Sequence, residues 1–276
     1  MTPDINCAKE YFSKNVALNG KFGEYSAAYA VTNEDLRTSL RFLQKNTENA
    51  LTVAGSGDHP MFIKMYGAKH VDTFDLSYNA KLIMDIKTIA LSLLKHEEYC
   101  KFLKDIYVSK DLLSIDFLPQ VIEKLSLQEQ TYLKAMRYYK IFGHGLHPDF
   151  YCDTNRPFPS LTEYKKMQDS INQPFNFIWS DITNLHTKIE KIYDFMHLSN
   201  ILDYTKEPTD LTILSNLMKH TQIGSVICFE TFHYCSIPSR LFMNQSHSRF
   251  LMNKYQIWTY RRPTIGESTH VMRRIR

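Results

Sequence analysis

A chain of 276 residues can form one large α/β domain, or one domain with a helical appendage, and it is long enough to bury a sizeable core. Its 43% hydrophobic and 22% charged residues are ordinary for a soluble globular protein, and no internal repeat or low-complexity tract is visible. The net charge of +4 is mild and does not by itself imply a nucleic-acid partner. Nine Gly and ten Pro predict few loops and many helices, and the aromatic content of 13% is high. The five cysteines, at 7, 100, 152, 228 and 235, are odd in number and have neither disulfide-scaffold nor zinc-finger spacing. Residues 1–10 are polar rather than signal-like, and no apolar run approaches the ~20 residues of a membrane span. The expectation is a reduced, cytoplasmic protein.

Residues 1–48 read as an N-terminal helical segment, with Tyr29, Leu36, Leu40, Phe42 and Leu43 recurring near helical spacing. Asn33 or Thr32 is an N-cap candidate before Glu34 and Asp35. A strand over 50–54 follows, then a glycine loop. Pro60 suits the first turn of a short helix over 61–66, which Gly67 ends. A second strand covers 70–75, and a long helix runs from 78 to 94, continued by a helical piece over 96–106. Residues 109–170 break the α/β rhythm and predict a helical insertion able to cover a cleft. The rhythm resumes with strands over 175–181 and 192–199, a helix over 211–219, a strand over 225–232 after Gly224, and a closing strand over 256–260. Arg261 to Arg276 holds five Arg and one Glu and reads first as a solvated tail, or else as a contact for an anionic partner or membrane surface. Strands alternating with helices predict a parallel sheet with ligands at the carboxyl ends of the strands. The chain then divides into residues 1–48, a first half of a Rossmann-like domain over 49–108, the insertion over 109–170, and a second half over 171–276.

The informative loop is Ala54-Gly55-Ser56-Gly57-Asp58, answered by a second strand that ends on Asp75-Leu76-Ser77. Two glycines let the backbone turn sharply and approach a ligand closely. A carboxylate some twenty residues later suits the two hydroxyls of a ribose. The third glycine of a dinucleotide fingerprint is missing, and a shorter G-x-G loop with a ribose acid is the usual pattern for S-adenosylmethionine. Asp181, ending the next strand, suits the adenine amino group, with the Ile182 backbone N–H beside it. Asp58 is a candidate partner for the methionine ammonium, and Tyr25 or Tyr204 for the sulfonium. Against these stand plainer roles: Asp58 and Asp181 as helix caps, the tyrosines as packing. Asp203 leads the candidates for an acceptor base, with Tyr204, His197 and His233 beside it, and Ser199 and Asn200 are hydrogen-bonding candidates.

The segments A-G-S-G-D-H-P, F-D-L-S-Y-N-A-K-L, L-K-H-E-E-Y-C-K-F-L and H-L-S-N-I-L-D-Y resemble the S-adenosylmethionine:diacylglycerol 3-amino-3-carboxypropyl transferases of betaine-lipid synthesis and their uncharacterised relatives. The resemblance runs over about residues 50–106 and 175–235. It departs where the family usually shows D-x-N-P-x-Q, since this chain has Asp75-Leu76-Ser77-Tyr78-Asn79-Ala80-Lys81. It implies a Rossmann-like class I methyltransferase-type sheet with N-terminal helices and a helical insertion. It also implies S-adenosylmethionine as cofactor and transfer of the 3-amino-3-carboxypropyl group to a lipid headgroup or small molecule. Methyl transfer is the alternative, and a non-catalytic nucleoside-binding protein is the alternative from another class. No nucleic-acid partner is expected, peripheral membrane contact stays open, and oligomeric state is not legible. His144, His147, Asp149 and Cys152 match no zinc spacing, and no metal is expected there or elsewhere.

Overall fold

The computed structural model describes residues 2–14, 22–144, 158–205, 209–231, 253–262 and 267–276. Its strands are β1 (Ala28–Tyr29), β2 (Asn49–Val53), β3 (His70–Asp75), β4 (Phe142–His144), β5 (Asn176–Trp179), β6 (Tyr193–His197), β7 (Thr221–Thr231), β8 (Tyr255–Arg262) and β9 (Glu267–Arg274). Its helices are α1 (Ile5–Ser13), α2 (Leu36–Ser39), α3 (Asp58–Met65), α4 (Tyr78–Leu93), α5 (His96–Val108), α6 (Leu118–Ile122), α7 (Leu127–Ala135), α8 (Leu161–Ser170) and α9 (Thr209–Leu217).

Seven strands form one sheet in the order β5-β3-β2-β6-β7-β9-β8. The first five are parallel, and β9 lies antiparallel between β7 and β8. The chain moves outward from β2 through β3 to β5, then returns to the other side of β2 to lay down β6 and β7. The direction of winding therefore reverses between β2 and β6. At such a switch point the loops leaving the two strands diverge, and a crevice opens above their carboxyl ends. Five parallel strands with a terminal antiparallel hairpin in this order make the Rossmann-like sheet of class I methyltransferase type that the sequence predicts.

The predicted strands over 50–54, 70–75, 175–181 and 192–199 correspond to β2, β3, β5 and β6. β7 starts earlier than expected, because Gly224 sits inside the strand at a positive φ of 91° where the register with β6 shifts. A glycine in that conformation is how an extra residue is absorbed as a bulge. The main correction concerns the C-terminus. Residues 267–274 are β9 in the sheet interior, not a solvated tail. Val271 and Met272 are 1% and 0% exposed, so this short apolar stretch is a packed strand despite the arginines around it. Those arginines are also engaged: Arg274 Nη1 donates to the Met218 carbonyl at 3.2 Å, and the Arg273 guanidinium lies 5.7 Å from the Trp258 ring.

Among its described residues, the insertion packs on the helical layer rather than over the strand ends. Among the described residues, α6 lies against α4, and α8 against both α3 and α4. β4 pairs in parallel with β1 and so joins the insertion to the N-terminal segment. No described residue of 109–170 lines the crevice. The N-terminal segment covers it instead, with Phe22, Ser26 to Tyr29, Thr32 and Asn33 on its wall. That segment is strapped to the start of α4: Tyr78 N–H donates to the Glu24 carbonyl, and the fully buried Asn79 amide donates to the Tyr25 and Ser26 carbonyls. Tyr25 is 6% exposed, accepts from Asp4 N–H at 2.9 Å and packs edge-on to Trp179. It does not line the crevice and serves as a packing residue there.

One ion pair fixes these layers together. Lys87, on the inner face of α4, is 0% exposed, and its Nζ meets Asp58 Oδ1 at 2.7 Å. Asp58 Oδ2 accepts from the Thr32 N–H at 2.7 Å and from the Ser56 hydroxyl at 2.8 Å. Burial pushes the Lys87 pKa down, and Asp58 opposes that shift. Removing one partner strands a charge in the interior. Asp58→Asn is therefore expected to cost about 3–5 kcal/mol in guanidinium unfolding, and adding Lys87→Met should recover most of it. An additive double-variant cost would contradict the pairing.

Candidate functional site

The loop after β2 is built by conformation rather than by side chains. Ala54 N–H donates to the Phe74 carbonyl at 2.8 Å and Gly57 N–H to the Ala54 carbonyl at 2.7 Å. Gly55 and Gly57 both have positive φ, 52° and 83°. A Cβ on Gly57 would stand 2.8 Å from Met84 Cα, so the helix α4 backbone closes that side. A Cβ on Gly55 would meet only side chains at ordinary contact distance, the His59 ring at 3.5 Å and Val53 Cγ1 at 3.9 Å. Close approach thus demands glycine at 57, and backbone conformation favours it at 55.

Asp75 ends β3 opposite this loop. Gly55 N–H donates to its Oδ2 at 3.0 Å and Ser77 N–H to its Oδ1 at 2.9 Å. Burial pushes its carboxyl up to about 6, against the pull of the Ser77, Gly55 and Leu76 N–H groups. Ser77 caps α4 through Asn79 N–H and donates its hydroxyl to the Ser26 carbonyl. The two strand ends are therefore locked to each other and to the covering segment.

Above them lies a cavity of about 610 Å³. Gly55, Ser56, Asp75, Leu76 and Ser77 line one side, as the sequence predicts. Asp181 and Ile182 line the next wall, just past β5, and Ser199, Asn200 and Tyr204 line the far side past β6. Asp181 also makes the local turn its type favours, Oδ1 accepting from Thr183 N–H and hydroxyl. Tyr204 is 47% exposed, meets the Phe22 ring edge-on at 4.6 Å, and its hydroxyl accepts from the Asn200 amide at 3.4 Å.

Four expected site residues do not line this cavity. Ala54 and Gly57 shape the loop from behind. Asp58 is 4% exposed and committed to Lys87, Thr32 and Ser56, so it is not placed to receive an ammonium group. Asp203 lies on the turn Ile201–Tyr204 without lining the cavity, whereas Ile201 and Tyr204 of the same turn do line it. His233 lies outside the described residues, as do His147, Asp149 and Cys152.

The structure also assembles a group that sequence spacing could not show. Glu34, His59 and His197 come from the N-terminal segment, the first turn of α3 and the end of β6. Glu34 and His59 are 7% and 4% exposed, and His197 is 0%. One ligand atom from each lies within 4.8 Å of the others. His59 Nε2 is 3.0 Å from Glu34 Oε2, and the other carboxylate oxygen accepts from the Ser199 hydroxyl and, at 3.2 Å, from Asn200 N–H. Burial raises the Glu34 carboxyl, but His59 and its other partners outweigh it and hold the group below the usual range. Burial, assisted by His59, pushes His197 down to about 3, so its ring is neutral at neutral pH. Ser199 itself has a positive φ of 55°, a conformation that non-glycine residues adopt where surroundings hold them in place. Only His197 carried a sequence signal, through its place at a strand end.

No family profile and no curated protein matches the sequence. Among solved structures, the chain is similar to an rRNA methylase from Streptococcus thermophilus, at 8% identity over 88% of this chain and 98% of that one, with a TM-score of 0.44. It is similar to the N-methyltransferase NodS from Bradyrhizobium japonicum in complex with S-adenosyl-L-homocysteine, at 8% identity over 97% and 98%, TM-score 0.41. It is also similar to precorrin 8W decarboxylase from Methanobacterium thermoautotrophicum, at 8% identity over 89% and 94%, TM-score 0.41. The fold class rests on the strand order described above.

The two loop glycines should differ under substitution. Gly57→Ala combines a positive φ with a backbone clash and is expected to cost about 2–4 kcal/mol in thermal or chemical unfolding. Gly55→Ala carries the conformational cost alone, about 1–2 kcal/mol. Equal losses would show that Met84 gives way.

Proposed function

We propose that the cavity binds S-adenosylmethionine and that the protein transfers a methyl group from it to a small-molecule or lipid-headgroup acceptor. The observation that carries this reading is Asp75. Its two oxygens each take one backbone N–H, which orients the carboxylate while leaving acceptor capacity facing the cavity, as a vicinal diol requires. A ribose held there places adenine toward Asp181 and Ile182 and the amino-acid arm along Gly55 and Ser56. The glycine loop supports close backbone approach, and 610 Å³ suits a nucleoside of this size with room for part of an acceptor.

The cofactor supplies an electrophilic carbon on a sulfonium with a good leaving group already in place. The work left to the chain is alignment and exclusion of water. Phe22 and the 26–29 strip cover the cavity, and Tyr204 and Asn200 present polar atoms on the acceptor side. Tyr204→Phe is expected to lower kcat by about tenfold with the cofactor Kd unchanged. A change confined to the Kd would make Tyr204 a binding residue.

A second reading, transfer of the 3-amino-3-carboxypropyl group, is favoured by one feature. Leu198 to Asp203, within the H-L-S-N-I-L-D-Y segment of the family resemblance, contributes Ser199 and Asn200 to the cavity wall. Products separate the two. Incubation with S-adenosylmethionine and cell extract, followed by mass spectrometry, is expected to yield S-adenosylhomocysteine. Methylthioadenosine with a mass gain on an acceptor would favour the second reading. Heat of binding with neither product would leave a non-catalytic nucleoside-binding protein.

Cofactor affinity should depend on pH through Asp75. The ionised carboxylate is the binding form and its carboxyl titrates at about 6. The association constant is therefore expected to be flat above pH 7 and to fall toward tenfold per unit well below pH 6. Asp75→Asn should flatten that dependence, and Asp75→Ala should weaken binding about tenfold to a hundredfold by calorimetry. Unchanged affinity in Asp75→Ala would overturn the placement of the ribose.

A further inference from the structure

We propose that Glu34, His59 and His197 form a binding site for one divalent first-row transition-metal ion of the zinc or ferrous class. Two imidazole nitrogens and one carboxylate oxygen are the donor set such ions prefer. The residues are far apart in sequence and converge from three different elements. The separations suit a shared ion. His59 Nε2 and Glu34 Oε2 stand 3.0 Å apart, which is about the separation of two adjacent donors each about 2.1 Å from one ion. The widest separation within the group is at most 4.8 Å, against about 3.4 Å for two donors of a tetrahedral ion. A shift of about 1.4 Å at most, by rotation of the His197 or His59 ring, closes the set.

The strongest argument is what the residues lack. Both ring nitrogens of His197, and Nδ1 of His59, are buried with no hydrogen-bond partner among the described residues. An orphaned buried polar atom costs about 1–3 kcal/mol, and native interiors rarely keep several together. A cation shared by the three side chains takes one of the two orphaned His197 nitrogens as a ligand, beside His59 Nε2 and Glu34 Oε2, and draws the two imidazoles and the carboxylate onto one point. The carboxylate is also supported from behind. The Ser199 hydroxyl and the Asn200 N–H both donate to Glu34 Oε1, leaving Oε2 to the ion, which is how ligating carboxylates are oriented elsewhere. His59 and Ser199 are shared with the wall of the large cavity, so an ion here borders the space assigned to the ligands. There it is positioned to bind an acceptor hydroxyl, amine or carboxylate and lower the acceptor's pKa. The inference concerns the ion alone and stands whichever group the protein transfers.

The test is metal binding by the full-length chain, stripped with chelator and dialysed against CoCl₂ or ZnSO₄. Wild type is expected to retain about one equivalent per chain and to show cobalt d–d absorption. His59→Gln and His197→Gln should each lose at least tenfold in affinity, while His70→Gln, at an exposed histidine, should retain the wild-type stoichiometry. X-ray absorption on cobalt-loaded wild type should read two imidazoles in the first shell, which decides the matter even where a variant fails to fold. No retained metal in wild type, undiminished binding in both His59→Gln and His197→Gln, or a first shell without two imidazoles would each overturn the site. Thermal unfolding gives an independent readout: the ion should raise the wild-type midpoint and leave that of His197→Gln unmoved.

Discussion

The buried pair between Asp58 and Lys87 is the constraint on which the rest of the structure depends. It joins the first residue of α3 to the inner face of α4, the two helices that flank the glycine loop. Through Oδ2 the same carboxylate holds Ser56 in the loop and Thr32 in the N-terminal segment. Two residues beyond Thr32, Glu34 reaches across to His59 and Ser199. One carboxylate therefore sets the helix spacing that Gly57 requires, the loop shape that Asp75 caps, and the placement of a segment that comes from outside the sheet. Burying a charge is costly unless it is fully paired, and here every oxygen of Asp58 has a partner.

That arrangement explains how an ordinary α/β sheet becomes a covered site. The reversal of winding between β2 and β6 opens the crevice, and strand ends supply acids to its floor. A parallel sheet alone leaves such a crevice open to water. The chain closes it with residues 22–33, tied to the start of α4 by backbone and amide hydrogen bonds. The insertion over 109–170 serves a different purpose among its described residues. Its helices thicken the layer behind α4, and β4 clamps the base of the covering segment through β1. Among the described residues, the N-terminal segment thus walls the cavity and the insertion backs the helical layer.

Much of the fold was legible because its signals are local. A strand of β-branched and apolar residues, a pair of glycines, a helix of repeating apolar positions and a strand ending on an acid can be read without knowing what packs on them. Gly55, Ser56, Asp75, Leu76, Ser77, Asp181, Ile182, Ser199, Asn200 and Tyr204, singled out in this way, line one cavity, since each sits at or just past a strand end. Asp58 was misread because its type and position suit a ligand and a buried ion pair equally. What decides between them is the burial of Lys87, a residue whose character predicts exposure. β9 was misread for a related reason. Arginines at both ends mask a short apolar strand, and only its place between β7 and β8 makes Val271 and Met272 interior.

The sequence by itself determined the strand–loop–helix units, the parallel sheet and the floor of the cavity, because periodicity, glycine conformation and strand-end acids act over a few residues. The tertiary structure alone decided which segment covers the cavity, which charges are buried, and that Glu34, His59 and His197 meet. Those outcomes depend on residues some 25 to 163 positions apart being brought together by the winding of the sheet. Long-range contacts of that kind leave no periodic trace along the chain.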